Sequence, residues 1–158
     1  MNEAQNGPMK GYWPPMIFGG CALLATILAY LAPLPWLPRP LSDFALAAGF
    51  VIAVGGVWII LAAGQALDRA GTTVLPTRRA SHLVTRGPFS FTRNPIYLGM
   101  TMLLIAAGLM LGWIWLIASA ILAAFLARKI AIEPEERHLE QRFGKSYRDY
   151  RKRVRRWI

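Results

Sequence analysis

Three stretches of this chain carry no charged side chain, and they constrain its fold more than any motif does. They run from Met16 to Ala32, from Phe44 to Leu67 (24 residues) and from Ile96 to Ala127 (32 residues). A helix that crosses a bilayer needs roughly 20 apolar residues. In lipid every backbone polar group must be satisfied within its own segment, so these runs predict helices. The expectation is an all-α integral membrane protein. The first span is placed from near Pro15 to Ala32. The second is placed from about Asp43 to Leu67, with Ser42 as its N-cap. A signal peptide is the competing reading of the first run. It is disfavoured because Lys10 is its only early base, and Pro33 and Pro35 follow where a small-residue cleavage site would stand.

The third run is too long for one span and short for two. As one helix its 32 residues would extend about 48 Å, against a hydrocarbon core of roughly 30 Å. A tight helical hairpin resolves the mismatch, with its turn near Gly108–Gly112. The Gly108-x-x-x-Gly112 spacing also suits close helix packing. About four transmembrane helices result.

Charge then orients them. Lys and Arg number 18 against 8 Asp and Glu, a net charge of +10, although only 16% of residues are charged. The segment Asp68–Pro95 holds Arg69, Arg78, Arg79, Arg86 and Arg93, and the tail Arg128–Ile158 holds 11 bases and 5 acids. The Pro33–Leu41 loop has Arg39 alone. The positive-inside rule places both termini and the 68–95 loop in the cytoplasm. Trp13, Trp36 and Trp157 fall near span ends, where indoles prefer the interface. The whole chain reads as one membrane domain: two N-terminal spans over 1–67, then a polar loop, the hairpin and a C-terminal helix over 68–158. The five bases among Arg151–Arg156 suit anionic lipid at the cytoplasmic leaflet. No recognition motif accompanies them, so nucleic acid is not an expected partner. One cysteine, Cys21, and two histidines offer neither a disulfide framework nor a metal cluster.

Aqueous chemistry must then sit in two polar stretches on one side. The first ends in Asn94-Pro95, an N-cap followed by proline at the first helical position. The amides of Ile96, Tyr97 and Leu98 are left at a positive helix end, which suits a carboxylate or phosphate. Satisfaction by Asn94 and water is the alternative. The second stretch opens at Glu133-Pro134-Glu135-Glu136. Leu139, Phe143, Tyr147, Tyr150 and Val154 then recur at helical spacing as one apolar face, with Gly144 a possible interruption. At least one of Glu135 and Glu136 must point toward that packed side, where an unpaired carboxylate is costly. Either it pairs with Arg128, Arg93 or a cap amide, or it holds a cationic ligand group.

Both stretches carry an ordered pattern. The first is Leu83-Val84-Thr85-Arg86-Gly87-Pro88-Phe89-Ser90-Phe91-Thr92-Arg93-Asn94-Pro95-Ile96-Tyr97-Leu98-Gly99. The second is Glu135-Glu136-x-x-Leu139-x-x-x-Phe143-Gly144-x-x-Tyr147-x-x-Tyr150. Over about residues 81–158 this resembles the isoprenylcysteine carboxyl methyltransferase and phospholipid methyltransferase family of integral membrane enzymes. The resemblance implies S-adenosylmethionine as cofactor and a lipophilic small molecule or lipidated group as acceptor. It implies a donor pocket from His82, Leu83, Val84, Phe89, Arg93, Asn94, Pro95, Ile96, Tyr97, Glu135 and Glu136. Arg128 is the candidate substrate contact. It implies no general base and no metal. Three positions depart from the family pattern: Asn94 replaces a histidine, Ser81 replaces another with His82 one residue nearer the Leu-Val pair, and Ala131 replaces an arginine. Two other classes compete with a methyltransferase. One is a non-catalytic membrane module with the same pocket shape. The other is an NADPH-dependent enzyme related to sterol reductases.

Overall fold

The computed structural model describes residues 14–71 and 83–158. His82 lies outside the described residues, as does Trp13. Among the described residues every regular element is helical. The first apolar run forms α1 (Pro14–Leu31) and the second forms α2 (Leu41–Arg69). The third forms α3 (Pro95–Leu111) and α4 (Ile114–Ala127). A five-residue π turn, Arg128–Ile132, continues α4 into α5 (Glu133–Phe143), and α6 (Lys145–Arg153) follows.

The hairpin forms where glycine permits it. Gly112 adopts φ 69° and ends α3, a left-handed conformation that glycine enters without steric penalty. The Trp113 N–H donates to the Gly108 carbonyl at 2.9 Å, closing the turn in the Schellman manner. Gly108 serves the other expectation for that motif. A Cβ there would lie 2.6 Å from Ile117 Cγ1, so its absence lets α3 and α4 approach. Trp36 packs directly beneath Gly112.

α3 lies between α2 and α4, and α4 also packs along α1. The α2–α3 crossing depends on small residues. A Cβ on Gly99 would meet the Gly56 carbonyl at 2.8 Å and Ile60 Cγ1 at 2.5 Å. α2 and the continuous helix Ile114–Phe143 are long and apolar enough to cross a membrane; α1 and α3 are apolar but shorter. The uncharged part of the long helix ends at Ala127, so Arg128 and everything after it lies beyond the apolar span.

Two local expectations are corrected. Ser42 is not the N-cap of α2. The Pro40 carbonyl already accepts from the Asp43 and Phe44 amides at 3.1 and 3.3 Å, so the helix begins at Leu41 and Ser42 sits inside its first turn. The C-terminal amphipathic helix is two helices. Gly144, at φ 52° and ψ −117°, breaks it between α5 and α6. The apolar stripe survives the break: Tyr147, Tyr150 and Val154 are buried together, with Leu83, Leu139 and Phe143 packed on them. Pro134 stands in the first turn of α5. It lacks the N–H that would bond four residues back, and the preceding π turn takes up the mismatch while the rod runs on.

Candidate functional site

The charged end of the bundle is built around Glu136. Its residue is 9% exposed, the most buried acid among the described residues. Burial of a carboxylate is tolerated only with paired charge and hydrogen bonds, and Glu136 has both. Arg156 approaches it with two nitrogens, Nε to Oε1 at 3.0 Å and Nη2 to Oε2 at 2.7 Å. This fork geometry suits guanidinium and carboxylate. Arg93 Nη1 lies 3.1 Å from the same Oε1 and donates to the Tyr147 hydroxyl at 3.2 Å. Arg93 Nε is buried without an acceptor among the described residues.

The chain end closes onto the segment before α3. The Arg93 amide donates to the Arg155 carbonyl at 3.0 Å. The Thr92 hydroxyl and the Asn94 side-chain amide both donate to the Arg156 carbonyl, at 3.2 and 2.9 Å. Trp157 then packs against a core that includes Phe18, Tyr97, Ala127 and Ile132. The Tyr150 hydroxyl donates to the Phe89 carbonyl at 2.7 Å, fixing α6 against the 3₁₀ turn Gly87–Ser90.

Asn94 stands at the N-cap of α3, but its side chain makes no capping bond; it is spent on the chain end. The Leu98 amide is also not free, since it donates to the Asn94 carbonyl at 3.0 Å. The positive end of α3 is therefore the amides of Ile96 and Tyr97, which find no backbone acceptor among the described residues.

Glu135 differs from its neighbour. It is half-buried and has no ion pair or hydrogen bond among the described residues. Burial pushes its carboxyl up to about 7, and the charge of Glu136 adds to the effect. Ile132, three residues before Glu135, is buried in one cluster with Tyr97 of the first turn of α3. Glu133 is occupied elsewhere. Arg128 Nε hydrogen-bonds it at 3.0 Å and holds its carboxyl below the usual range. Arg128, the expected substrate contact, is thus engaged in that pair and about half exposed.

The predicted pocket residues fall into three groups. Tyr97 stands in the first turn of α3 with Pro95 and Ile96, and the entry to α5 that carries Glu135 packs near it through Ile132. Arg93 and Glu136 join each other. Leu83 and Val84 line a groove of about 770 Å³ against Trp58, Gln65 and Arg69 of α2, whose lining does not reach Asn94, Tyr97 or Glu135. Phe89 touches the site through its backbone carbonyl. Sequence reasoning missed Thr92, Arg156 and the α2 wall of the groove. It did mark Tyr147 and Tyr150, but only as one apolar face.

A family model for phospholipid methyltransferases matches residues 44–146. The chain belongs to this phospholipid methyltransferase family. No curated protein and no solved structure matches it. Membership makes it a membrane methyltransferase by descent, in agreement with its long apolar helices. The matched region takes in α2, the hairpin and the Glu135–Glu136 pair, and stops before Arg156.

Proposed function

We propose that this phospholipid-methyltransferase-family chain transfers the methyl group of S-adenosylmethionine to a lipophilic acceptor drawn from the bilayer. The observation that carries the reading is the division of labour between adjacent carboxylates. Glu136 has two guanidinium partners, whereas Glu135 has no cation of its own among the described residues, and α3 opens with the unpaired amides of Ile96 and Tyr97. A zwitterionic amino-acid group fits that pair of features: its ammonium toward Glu135, its carboxylate toward the Ile96 and Tyr97 amides. Leu83 and Val84, which line the separate groove on α2, and Phe89 belong to the donor pocket by resemblance. When bound, S-adenosylmethionine supplies an electrophilic sulfonium methyl whose leaving group is a neutral thioether. The chain's own residues then need only hold and align the reactants, an arrangement that lowers the barrier by several kcal/mol, of order 7 or more where alignment is good. His82 belongs to this proposal by resemblance alone.

The topology proposed with this function has α1 to α4 spanning the bilayer. The loop before α3, α5, α6 and both termini then lie in the cytoplasm, as the distribution of Lys and Arg favours. α1, at 18 residues, and α3, at 17, would span about 26 Å each, near the lower limit. The exposed bases Arg148, Lys152 and Arg153 then face anionic lipid.

Isothermal calorimetry of the purified protein in lipid nanodiscs tests donor binding. The expected result is S-adenosylmethionine binding that Glu135→Ala abolishes. A folded wild-type protein that does not bind it overturns the proposal. Transfer of a labelled methyl into a membrane lipid extract, read by mass spectrometry, identifies the acceptor.

A further inference from the structure

Adjacent residues on a helix project about 100° apart. Pinning one of them therefore fixes the direction of the next. Glu136 is pinned from two sides, by Arg93 from the segment before α3 and by Arg156 from the chain end. Arg156 contributes the bidentate contact and the shorter distance, 2.7 Å. The backbone around Arg156 makes a second set of contacts. The carbonyls of Arg155 and Arg156 receive the Arg93 amide, the Thr92 hydroxyl and the Asn94 side chain. One four-residue strap, Val154–Trp157, thus holds the first turn of α5 by its side chain and the entry to α3 by its backbone.

We infer that Arg156 is a positioning residue for the donor site: its fork on Glu136 sets the rotation of α5 that turns Glu135 toward Tyr97 and the start of α3. The inference rests on the proposed donor site and adds to it a residue outside the family match. Arg156 acts through Glu136 and touches no ligand. Its charge also matters. Without it, Glu136 keeps Arg93 as its one close partner and repels the Glu135 carboxylate more strongly. Ile132, one turn before Glu135 and Glu136, is buried against Tyr97, and among the described residues the titratable groups within electrostatic reach of Glu135 are Glu136 on its own helix and Tyr97 on α3.

The test uses the full chain in nanodiscs, with two readouts on wild type, Arg156→Lys and Arg156→Gln. The first is S-adenosylmethionine affinity across pH. The second is amide hydrogen exchange over residues 88–98. Arg156→Gln is expected to weaken the donor by about tenfold or more, within the range of coupling between contacting groups. It should also move the pH midpoint of binding upward, which general loosening would not do, and speed exchange at Arg93. Arg156→Lys, which keeps the charge but not the fork, should restore the pH midpoint with partial affinity. Wild-type affinity and an unshifted midpoint in folded Arg156→Gln overturn the inference. Should Arg156→Gln not fold, Arg156→Lys carries the same test, and full affinity in it overturns the role of the fork. A wild type that binds no donor overturns the proposed function instead. The strap is then judged by exchange alone, and unchanged exchange at residues 88–98 in either variant overturns it.

Discussion

The apolar bundle and its charged cap are held by opposite means. α2 and α3 meet at Gly56 and Gly99, where backbone lies against backbone. α3 and α4 meet at Gly108. No ion pair or side-chain hydrogen bond joins these helices to one another among the described residues. The cap, in contrast, is joined by Arg156–Glu136, Arg93–Glu136, Arg93–Tyr147 and Tyr150–Phe89. In lipid the hydrophobic effect does not drive helices together, so close packing of small residues must. At the aqueous end hydrogen bonds and charge supply direction. The bundle therefore sets where the cap stands, and the cap sets which way individual side chains point. A methyl donor needs the second kind of order.

The largest effect is expected where the two regions meet at a group without a partner. Glu135→Ala should reduce S-adenosylmethionine binding below detection while leaving the helical circular dichroism intact. Glu136→Ala should do something different. It leaves Arg93 and Arg156 facing each other without their carboxylate, so it should destabilise the fold by about 3 kcal/mol as well as lose donor. Thermal unfolding separates the two variants: only Glu136→Ala should lower the midpoint by many degrees.

Overpacking tests the bundle in the same way. A side chain at Gly99 would fall on the Gly56 carbonyl and on Ile60. Gly99→Val should cost about 1–3 kcal/mol or more, read as a lower unfolding midpoint in detergent. Gly64→Ala, on the same helix as Gly56 but with open space at its Cβ, should not. Equal losses at the two positions would break the claim that close approach, rather than helix propensity, governs α2.

These two regions were not equally legible in the sequence. The bundle could be read because it is encoded locally: charge gaps give the helices, and Gly112 gives the turn. Even Gly108's role followed from its spacing. The pairing of the cap could be read only in part: Arg93 stood among the expected partners of the glutamate pair and does hold Glu136, but the contacts of the chain end could not be read, because their partners are far apart in the chain. Glu136 and Arg156 are 20 residues apart, and Asn94 and the Arg156 carbonyl 62. Arg156 sat in a run of bases that suited a lipid surface as well as anything. Asn94 looked like a cap because Asn-Pro before a helix nearly always suggests one, and only the returning chain end showed its other partner. The neighbouring glutamates were indistinguishable until the two guanidiniums chose between them.

A smaller effect comes from pH. The Glu135 carboxyl is raised to about 7 in the folded protein, above its ordinary value of about 4.3. Between those values the folded state holds more protons than the unfolded, so the stability of the donor-free protein falls as pH rises through that window. Donor binding runs the other way, because the ammonium requires the carboxylate. Affinity should rise as pH goes from about 6 to about 8, and bound donor should cancel the loss of stability. Glu135→Gln should flatten both curves. A midpoint that persists in Glu135→Gln would assign the titration to another group.

The smallest effect sharpens the comparison most. Arg39 and Asp43 form an ion pair at 3.8 Å near the start of α2, with side chains 86% and 62% exposed. The chemistry is that of Arg156 and Glu136, an arginine with a carboxylate, but water surrounds it. Exposed pairs gain little, because solvent screens the attraction and ordering two long side chains costs entropy. Arg39→Ala should leave the unfolding midpoint and donor binding unchanged, at low and high salt alike. Arg156→Gln should weaken donor binding at both. A matching loss in Arg39→Ala would mean that net charge near the bundle ends, rather than the geometry of the Glu136 clamp, controls the site.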